Sequence, residues 1–273
     1  MISQFEMTHL GLMSYFLGIE VSQLDNGIFI SQKKYTGDIL KRFNMDNAKP
    51  ILTPVEEKLK LVRDGTGDFV DATYFRKLLG SLRYLTSTRP DITYGVGLIS
   101  RFMETLRQFH LQEAKRILRY IQGTQTDGIF YAKTNDSSLV GFTDSDWVGD
   151  TIQRKSTSGH AFYLGSGVFS WSSKKQQVVA LSTAEAEYME ATSSSIQALW
   201  LRRMLGFLQH KQDNPTIFFV IANKEIVIEY CKTGEQVTDV FTKPLKLELF
   251  IKLKKMLGMI KFEDLSLREA VGN

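Results

Sequence analysis

Three short strings carry carboxylates at spacings that could hold a hard cation: GFTDSDW from Gly141 to Trp147, LSTAEAEYME from Leu181 to Glu190, and VTDVFTKPL from Val237 to Leu245. The first sets its acids at a strand end, the second near a helix start and the third where another helix begins. Divalent metals of the Mg²⁺ type draw oxygen ligands from separate elements in this way. Alternation along a strand puts Asp144 and Asp146 on the same face, so the pattern leaves open which one is the ligand. In the second string Ser182 and Glu185 form a capping box, which leaves Glu187 and Glu190 free. Glu187, Glu190 and Asp239 also sit where the amides and dipole of a helix start favour negative charge, which by itself accounts for them. The strings gain weight only as a set.

Other chemistries find no support. Ser172, Ser173 and Ser182 lack the glycine-rich elbow and positioned histidine of a serine hydrolase. No Gly-Lys-Ser or Gly-x-Gly-x-x-Gly loop cradles a phosphate. Cys231 is the only cysteine, which excludes an internal disulfide and a multi-cysteine zinc site. His9, His110, His160 and His210 are scattered, so any metal is expected to be held by oxygen.

The elements that must position these acids follow from the hydrophobic pattern. With 273 residues and 43% hydrophobic content, two domains is the natural expectation. No apolar run approaches the eighteen or so residues of a membrane helix, and the first residues do not read as a signal peptide. The expectation is an intracellular protein, cytoplasmic or nuclear, with no membrane partner. Net charge is +4. Residues 73–122 nevertheless hold nine Lys or Arg against Asp91, Glu104 and Glu113, with tyrosines interleaved, a composition suited to a nucleic-acid partner or to a solvated helical face.

Asn26-Gly27 between apolar runs (14–24 and 28–32) predicts a β-hairpin, followed by a helix over 34–45. Residues 47–72, with Pro50, Pro54, Gly65 and Gly67, read as a linker. Helical patterns cover 74–87, 91–105 and 111–122. Strands are expected at 138–143, 159–164 and 168–172. A long helix follows, with Tyr188, Ala191, Ile196, Leu199, Trp200, Met204 and Leu208 on its apolar face. Strands at 216–220 and 226–230 and helices near 236–242 and 245–257 complete the pattern.

Taken together, YFLGIEV, GIFISQKKYTGDILKRFNM, YFRKLLGSLRYLTSTRPDI, SRFMETLRQFHLQEAKRILRYIQGT, GFTDSDWVGD, RKSTSGHAFYLGSGVFSWSSKKQQVVALSTAEAEYMEA and EYCKTGEQVTDVFTKPL resemble successive segments from the C-terminal part of copia-type retrotransposon Pol polyproteins. That resemblance covers about residues 7–257 and implies reverse transcriptase followed by ribonuclease H. The implied fold is α/β (α+β): a reverse transcriptase C-terminal hairpin and helices, then a truncated ribonuclease H-like mixed sheet with helices. The implied organisation is a palm-end hairpin and helix (1–46), the linker (47–72), a basic thumb- or connection-like helical region (73–130), a ribonuclease H-like domain (131–258) and a tail (259–273). The YFLG hairpin resembles the primer-gripping element.

The metal-binding and catalytic acids implied by the family fall on Asp144, Glu187 and Asp239. They would hold Mg²⁺, or Mn²⁺, against an RNA-DNA hybrid, with the rest of the Pol polyprotein as a further partner. Arg76, Lys77, Arg83, Arg89, Lys115, Arg116, Arg119, Lys155, Lys174 and Lys175 are the expected phosphate contacts. Two departures from the family bear on activity. The polymerase's paired aspartates would precede the hairpin, and no adjacent Asp-Asp occurs in the chain, so polymerase chemistry is not expected from it. The family's Cys-Asp-Asn string and the helices after it are also missing, because TIFFVIANKEIVIEYC runs straight through. Asp213-Asn214 precedes the strand that the family motif follows, so it does not replace them. Parallel strands need a crossover of a dozen or more residues, and Ile221 to Glu225 supplies five. The expected result is an antiparallel hairpin or an expelled strand, which leaves open whether Asp239 still faces Asp144, with hydrolysis impaired or lost. The alternatives are a non-catalytic nucleic-acid-binding module and a decayed relic of a transposon.

Overall fold

The computed structural model describes residues 11–59, 61–62, 67–150, 153–218, 226–227, 231 and 233–265. Strand β1 (Tyr15–Phe16) turns back on β2 (Ile19–Leu24) through Leu17 and Gly18, both at positive φ as a type I′ turn requires. β2 then pairs with β3 (Gly27–Ser31), with Leu24 opposite Gly27 across a two-residue loop, which is the hairpin that Asn26-Gly27 predicts. β4 (Asp127–Ala132) runs along the other edge of β3. It lies so close that a Cβ on Gly27 would stand 2.2 Å from the Tyr131 carbonyl oxygen. Between these strands come α1 (Lys33–Arg42), α2 (Ala72–Leu85), a 3₁₀ turn (Pro90–Ile92), α3 (Thr93–Ser100) and α4 (Gln108–Gln122).

A second sheet begins with β5 (Leu139–Asp150), β6 (Lys155–Leu164) and β7 (Gly167–Lys175), an antiparallel meander. The 25-residue α5 (Thr183–Phe207) follows, capped by the Ser182 hydroxyl, which accepts the Glu185 N–H. β8 (Thr216–Phe218) then pairs parallel with β5, and β9 (Ile226–Val227) parallel with β8, giving the order β7-β6-β5-β8-β9. The expected hairpin or expelled strand is therefore not what forms. The β8–β9 ladder is only two pairs long, so the chain has to return by about 8 Å, the resultant of two residue rises along the strand and one strand spacing across it. The seven residues between the strands can span upwards of ~20 Å. The dozen-residue rule applies to strands of ordinary length with a helical crossover. Residues 221–225 themselves lie outside the described residues.

The chain closes with α6 (Asp239–Thr242), α7 (Leu247–Met256) and β10 (Met259–Lys261). β10 lies in the stretch expected as a tail, yet it pairs antiparallel with β4 at the edge of the first sheet. Residues 266–273, the remainder of that tail, lie outside the described residues. A single buried cluster runs from Ile39 on α1 to Leu253 on α7 and takes in Ala161, Tyr163 and Val168 of the second sheet. The stretch read as a linker contributes Val55 and Leu61 to this core. Among the described residues no helix is long and apolar enough to cross a membrane.

The buried face of α5 differs from the one expected. Ala186, Glu190, Ala191, Ser194, Ala198, Leu201 and Leu205 are buried, so Ala191 is where it was expected, while Tyr188, Ile196 and Trp200 are more than half exposed. The small side chains of Ala186, Ser194 and Ala198 let the helix lie close to β5 and β6. Its larger apolar side chains are left outside.

Candidate functional site

The alternation of β5 decides which groups meet. Leu139 and Thr143 point to α5: Leu139 packs with Ala198, Leu201 and Leu205, and the Thr143 hydroxyl lies 3.2 Å from that of Ser194. Val140, Phe142 and Asp144 point the other way, toward the main core and α6. On that face Asp144 is paired in register with Gly159 of β6. A Cβ at Gly159 would stand 2.8 Å from the Phe241 Cβ and 2.9 Å from the Thr242 Cγ2, so glycine there is what lets α6 seat on the sheet. Two further bonds hold α6 down, from Ser173 Oγ to the Phe241 carbonyl and from Gln236 Nε2 to the Thr143 carbonyl.

Asp144 and Asp239 meet as a result. Lys243 Nζ lies 2.8 Å from Asp239 Oδ1 and 3.5 Å from Asp144 Oδ2, and the Thr242 hydroxyl donates to Asp144 Oδ2. Burial pushes the Asp239 carboxyl up, the Lys243 hydrogen bond pulls it part of the way down, and the Asp144 charge pushes it up again, to about 6. Burial likewise raises Asp146, which feels both Lys243 and Asp144. Of the two aspartates, Asp144 accepts from Thr242 on α6 and pairs with Lys243 just beyond it.

Glu187 does not join them. It is exposed near the start of α5, and that helix covers the opposite face of the sheet. Its neighbour Glu190 is buried instead, with one carboxylate oxygen 3.1 Å from His160 Nδ1 and accepting the Ser194 hydroxyl at 2.8 Å. Asp213 is exposed beside Lys211. Among the described residues no three acids, histidines or cysteines group closely enough to hold a metal. The donor set therefore does not fit a two-ion centre. Two carboxylates converge, and an ammonium lies between them. Lys243, Thr242 and Gly159 were not singled out from the sequence, although Lys243 follows Asp239 by four residues, the spacing of a helical ion pair.

The ten expected phosphate contacts divide by burial. Arg76, Lys77 and Arg83 lie exposed on α2, and Lys174 is exposed on β7. Lys115 and Lys155 are half-buried. Arg116 reaches Thr53 and Glu56, Arg119 donates to the Lys49 carbonyl, and Lys175 binds Asp150 and Gln153. Arg89 is no surface residue at all. It is 2% exposed, grips Asp91 through two hydrogen bonds of 2.9 and 2.8 Å, and donates to Thr124. Asp91 also accepts from the Tyr120 hydroxyl, and Lys254 links Tyr120 to Asp127, so two cations balance two carboxylates in the interior. Burial by itself would raise the Asp91 pKa, but Arg89 and Lys254 hold its carboxyl well below the usual range.

The family model for reverse transcriptase (RNA-dependent DNA polymerase) matches residues 1–57. The chain is 36% identical over 91% of its length to the retrovirus-related Pol polyprotein from transposon RE2 of Arabidopsis thaliana. It is 38% identical over 78% of its length to the corresponding polyprotein from transposon TNT 1-94 of Nicotiana tabacum. It covers 19% and 17% of those two proteins. An uncharacterized mitochondrial protein of Arabidopsis thaliana is 40% identical over 72% of the chain, and 82% of that protein is covered. No solved structure matches.

Proposed function

Because the chain belongs to the copia-type retrotransposon Pol polyproteins and carries reverse transcriptase sequence at its start, we propose that its second sheet is the remnant of a ribonuclease H-type nuclease. Its ancestral role would be to cut the RNA strand of RNA-DNA hybrids. What supports this is the convergence of Asp144 from β5 and Asp239 from α6 on a sheet ordered β7-β6-β5-β8-β9. In such a nuclease Asp144 and Asp239 would help to hold Mg²⁺ or Mn²⁺, which would supply an activated water and charge stabilisation for the leaving oxygen. Two carboxylates with Lys243 between them match only part of that ligand set, so hydrolysis in this chain is weak or lost. Removal of a single transition-state stabiliser already costs about 10²-fold or more in rate.

A second activity has its own support. Arg76, Lys77 and Arg83 form an exposed basic stretch on α2, and binding a polyanion needs no intact set of acids. Both readings are tested with purified protein and a labelled RNA-DNA hybrid. The expected outcome is salt-sensitive binding, with no cleavage in Mg²⁺ or Mn²⁺ above that of Asp144→Asn. Cleavage that disappears in Asp144→Asn would establish the nuclease and overturn its impairment. Absence of salt-dependent hybrid binding would overturn the second reading.

A further inference from the structure

The outward face of α5 carries a stripe that the described residues leave uncovered. Glu185, Tyr188, Thr192, Ile196, Trp200 and Arg203 follow one another at intervals of three or four residues, and Phe207 continues the series. At 3.6 residues per turn all seven fall within an arc of about 120°. That arc lies opposite the side of the helix that is buried on β5 and β6. Tyr188, Ile196, Trp200 and Phe207 are each more than half exposed, and Leu181, just ahead of the Ser182 cap, is 86% exposed. Single apolar residues scattered over a surface need no explanation, but an apolar stripe running the ~37 Å of such a helix does.

The order of the stripe is a mirror about Ser194. Leu181 and Phe207 stand thirteen residues before and after it, Glu185 and Arg203 nine, Tyr188 and Trp200 six, and Thr192 and Ile196 two. Two copies of α5 laid antiparallel around a two-fold axis at that height set leucine against phenylalanine, carboxylate against guanidinium, tyrosine against tryptophan and threonine against isoleucine, each twice. We propose that this face is a homodimer interface, in which α5 packs against α5 of a second copy of the chain. A two-fold interface requires a patch complementary to itself, whereas an unrelated partner would give no reason for the acid and the base to be equidistant from Ser194. Arg203 is exposed and available for the contact, while its neighbour Arg202 is held by the Gln212 and Asn214 carbonyls. Glu185 uses only one carboxylate oxygen on the Leu181 N–H. The Thr192 hydroxyl already donates to the Tyr188 carbonyl at 2.9 Å, so isoleucine can cover it without orphaning a polar group. Antiparallel packing also opposes the two helix dipoles. The large apolar side chains of the stripe expose roughly 600 Å² per copy, so a pair buries about 1,200 Å², the lower edge of specific interfaces, which implies micromolar dissociation.

Sedimentation velocity of the full 273-residue chain, from about 1 to 200 μM, reads the association directly. A reversible monomer–dimer equilibrium is expected, weakened about tenfold or more in Ile196→Glu and in Trp200→Glu, which alter exposed positions and should leave the melting temperature unchanged. Arg203→Glu should weaken it about tenfold as well. An equimolar mixture of Arg203→Glu and Glu185→Lys should then associate about tenfold more tightly than either variant alone, because both charge contacts again join opposite signs. Glu185→Lys also removes the bond to the Leu181 N–H, so the mixture is compared at a temperature where each variant is folded by its own melting curve. A dimer indifferent to Ile196→Glu and Trp200→Glu, or a mixture no tighter than its components, would overturn the interface. So would a chain that stays monomeric throughout, which would assign the stripe to another partner, such as a further segment of the Pol polyprotein. No nucleic acid enters these readouts, so they stand or fall apart from the nuclease reading.

Discussion

Lys243 lies one helical turn beyond Asp239 and bridges it to Asp144, with its Nζ 2.8 Å from the first carboxylate and 3.5 Å from the second. The ammonium is itself partly buried. Desolvation pulls its pKa down, but the Asp144 charge and the Asp239 hydrogen bond outweigh that and raise it. Lysine thus supplies the positive charge that two adjoining carboxylates need.

Replacing that charge should convert an internal ion pair into a cation-dependent site. In Lys243→Ala the melting temperature is expected to rise with Mg²⁺ at millimolar concentrations, since binding to the folded state alone stabilises by mass action. The wild-type midpoint should stay put over the same titration. Equal Mg²⁺ responses from the two proteins in differential scanning calorimetry would count against this role for Lys243.

The pH dependence has a definite sign. Asp239 titrates near 6 when folded and at the ordinary carboxylate value when unfolded, so between about pH 4 and 6 the folded state holds more protons. Stability from this group is therefore greatest at low pH and is lost as pH rises through about 6. Asp239→Asn carries a neutral group at every pH. Its melting temperature should gain on that of the wild type between pH 4.5 and pH 7.5, and a constant difference across that range would refute the assignment.

Arg89 and Asp91 make a prediction about stability rather than binding. Asp91→Ala leaves a fully buried guanidinium without its partner and should cost about 3–5 kcal/mol in chemical denaturation. A loss below about 1 kcal/mol would show that the pair is relaxed or hydrated in solution.

Exposed and buried arginines should separate cleanly in nucleic-acid titrations. Arg76→Ala and Arg83→Ala together are expected to flatten the dependence of log K on log salt by up to about 0.9 for each phosphate that the two arginines neutralise. Neither should alter the fold. Arg89→Met should lower the melting temperature while leaving the salt slope of the surviving folded protein intact.

Local signals were the legible ones. Asn26-Gly27 marked its hairpin because turn signals are local, although the two loop residues are Asp25 and Asn26 and Gly27 opens β3 opposite Leu24. Ser182 and Glu185 marked the start of α5 through bonds made within five residues. Asp144 and Asp239 were reached through family resemblance, and the structure joins them through Gly159, whose importance depends on a close approach that no local pattern reveals. Apolar periodicity misled on part of α5: it placed Ala191 correctly, but the first turns bury Ala186, Glu190, Ser194 and Ala198 and leave Tyr188, Ile196 and Trp200 outside. Composition misled on Arg89, since a cation counts the same in a sum whether it meets water or Asp91. The return of β10 to β4 joins positions more than a hundred residues apart, beyond any window of periodicity.

That return constrains how the protein could be processed. A protease acting between residues 133 and 138, in the exposed connection from β4 to β5, would leave a nicked molecule and not two released halves. The downstream piece would still hold the upstream one through three ladder pairs, the Lys254–Asp127 bond and a common core. On a denaturing gel such a product would run as two fragments, while in size exclusion it would elute as the uncut chain.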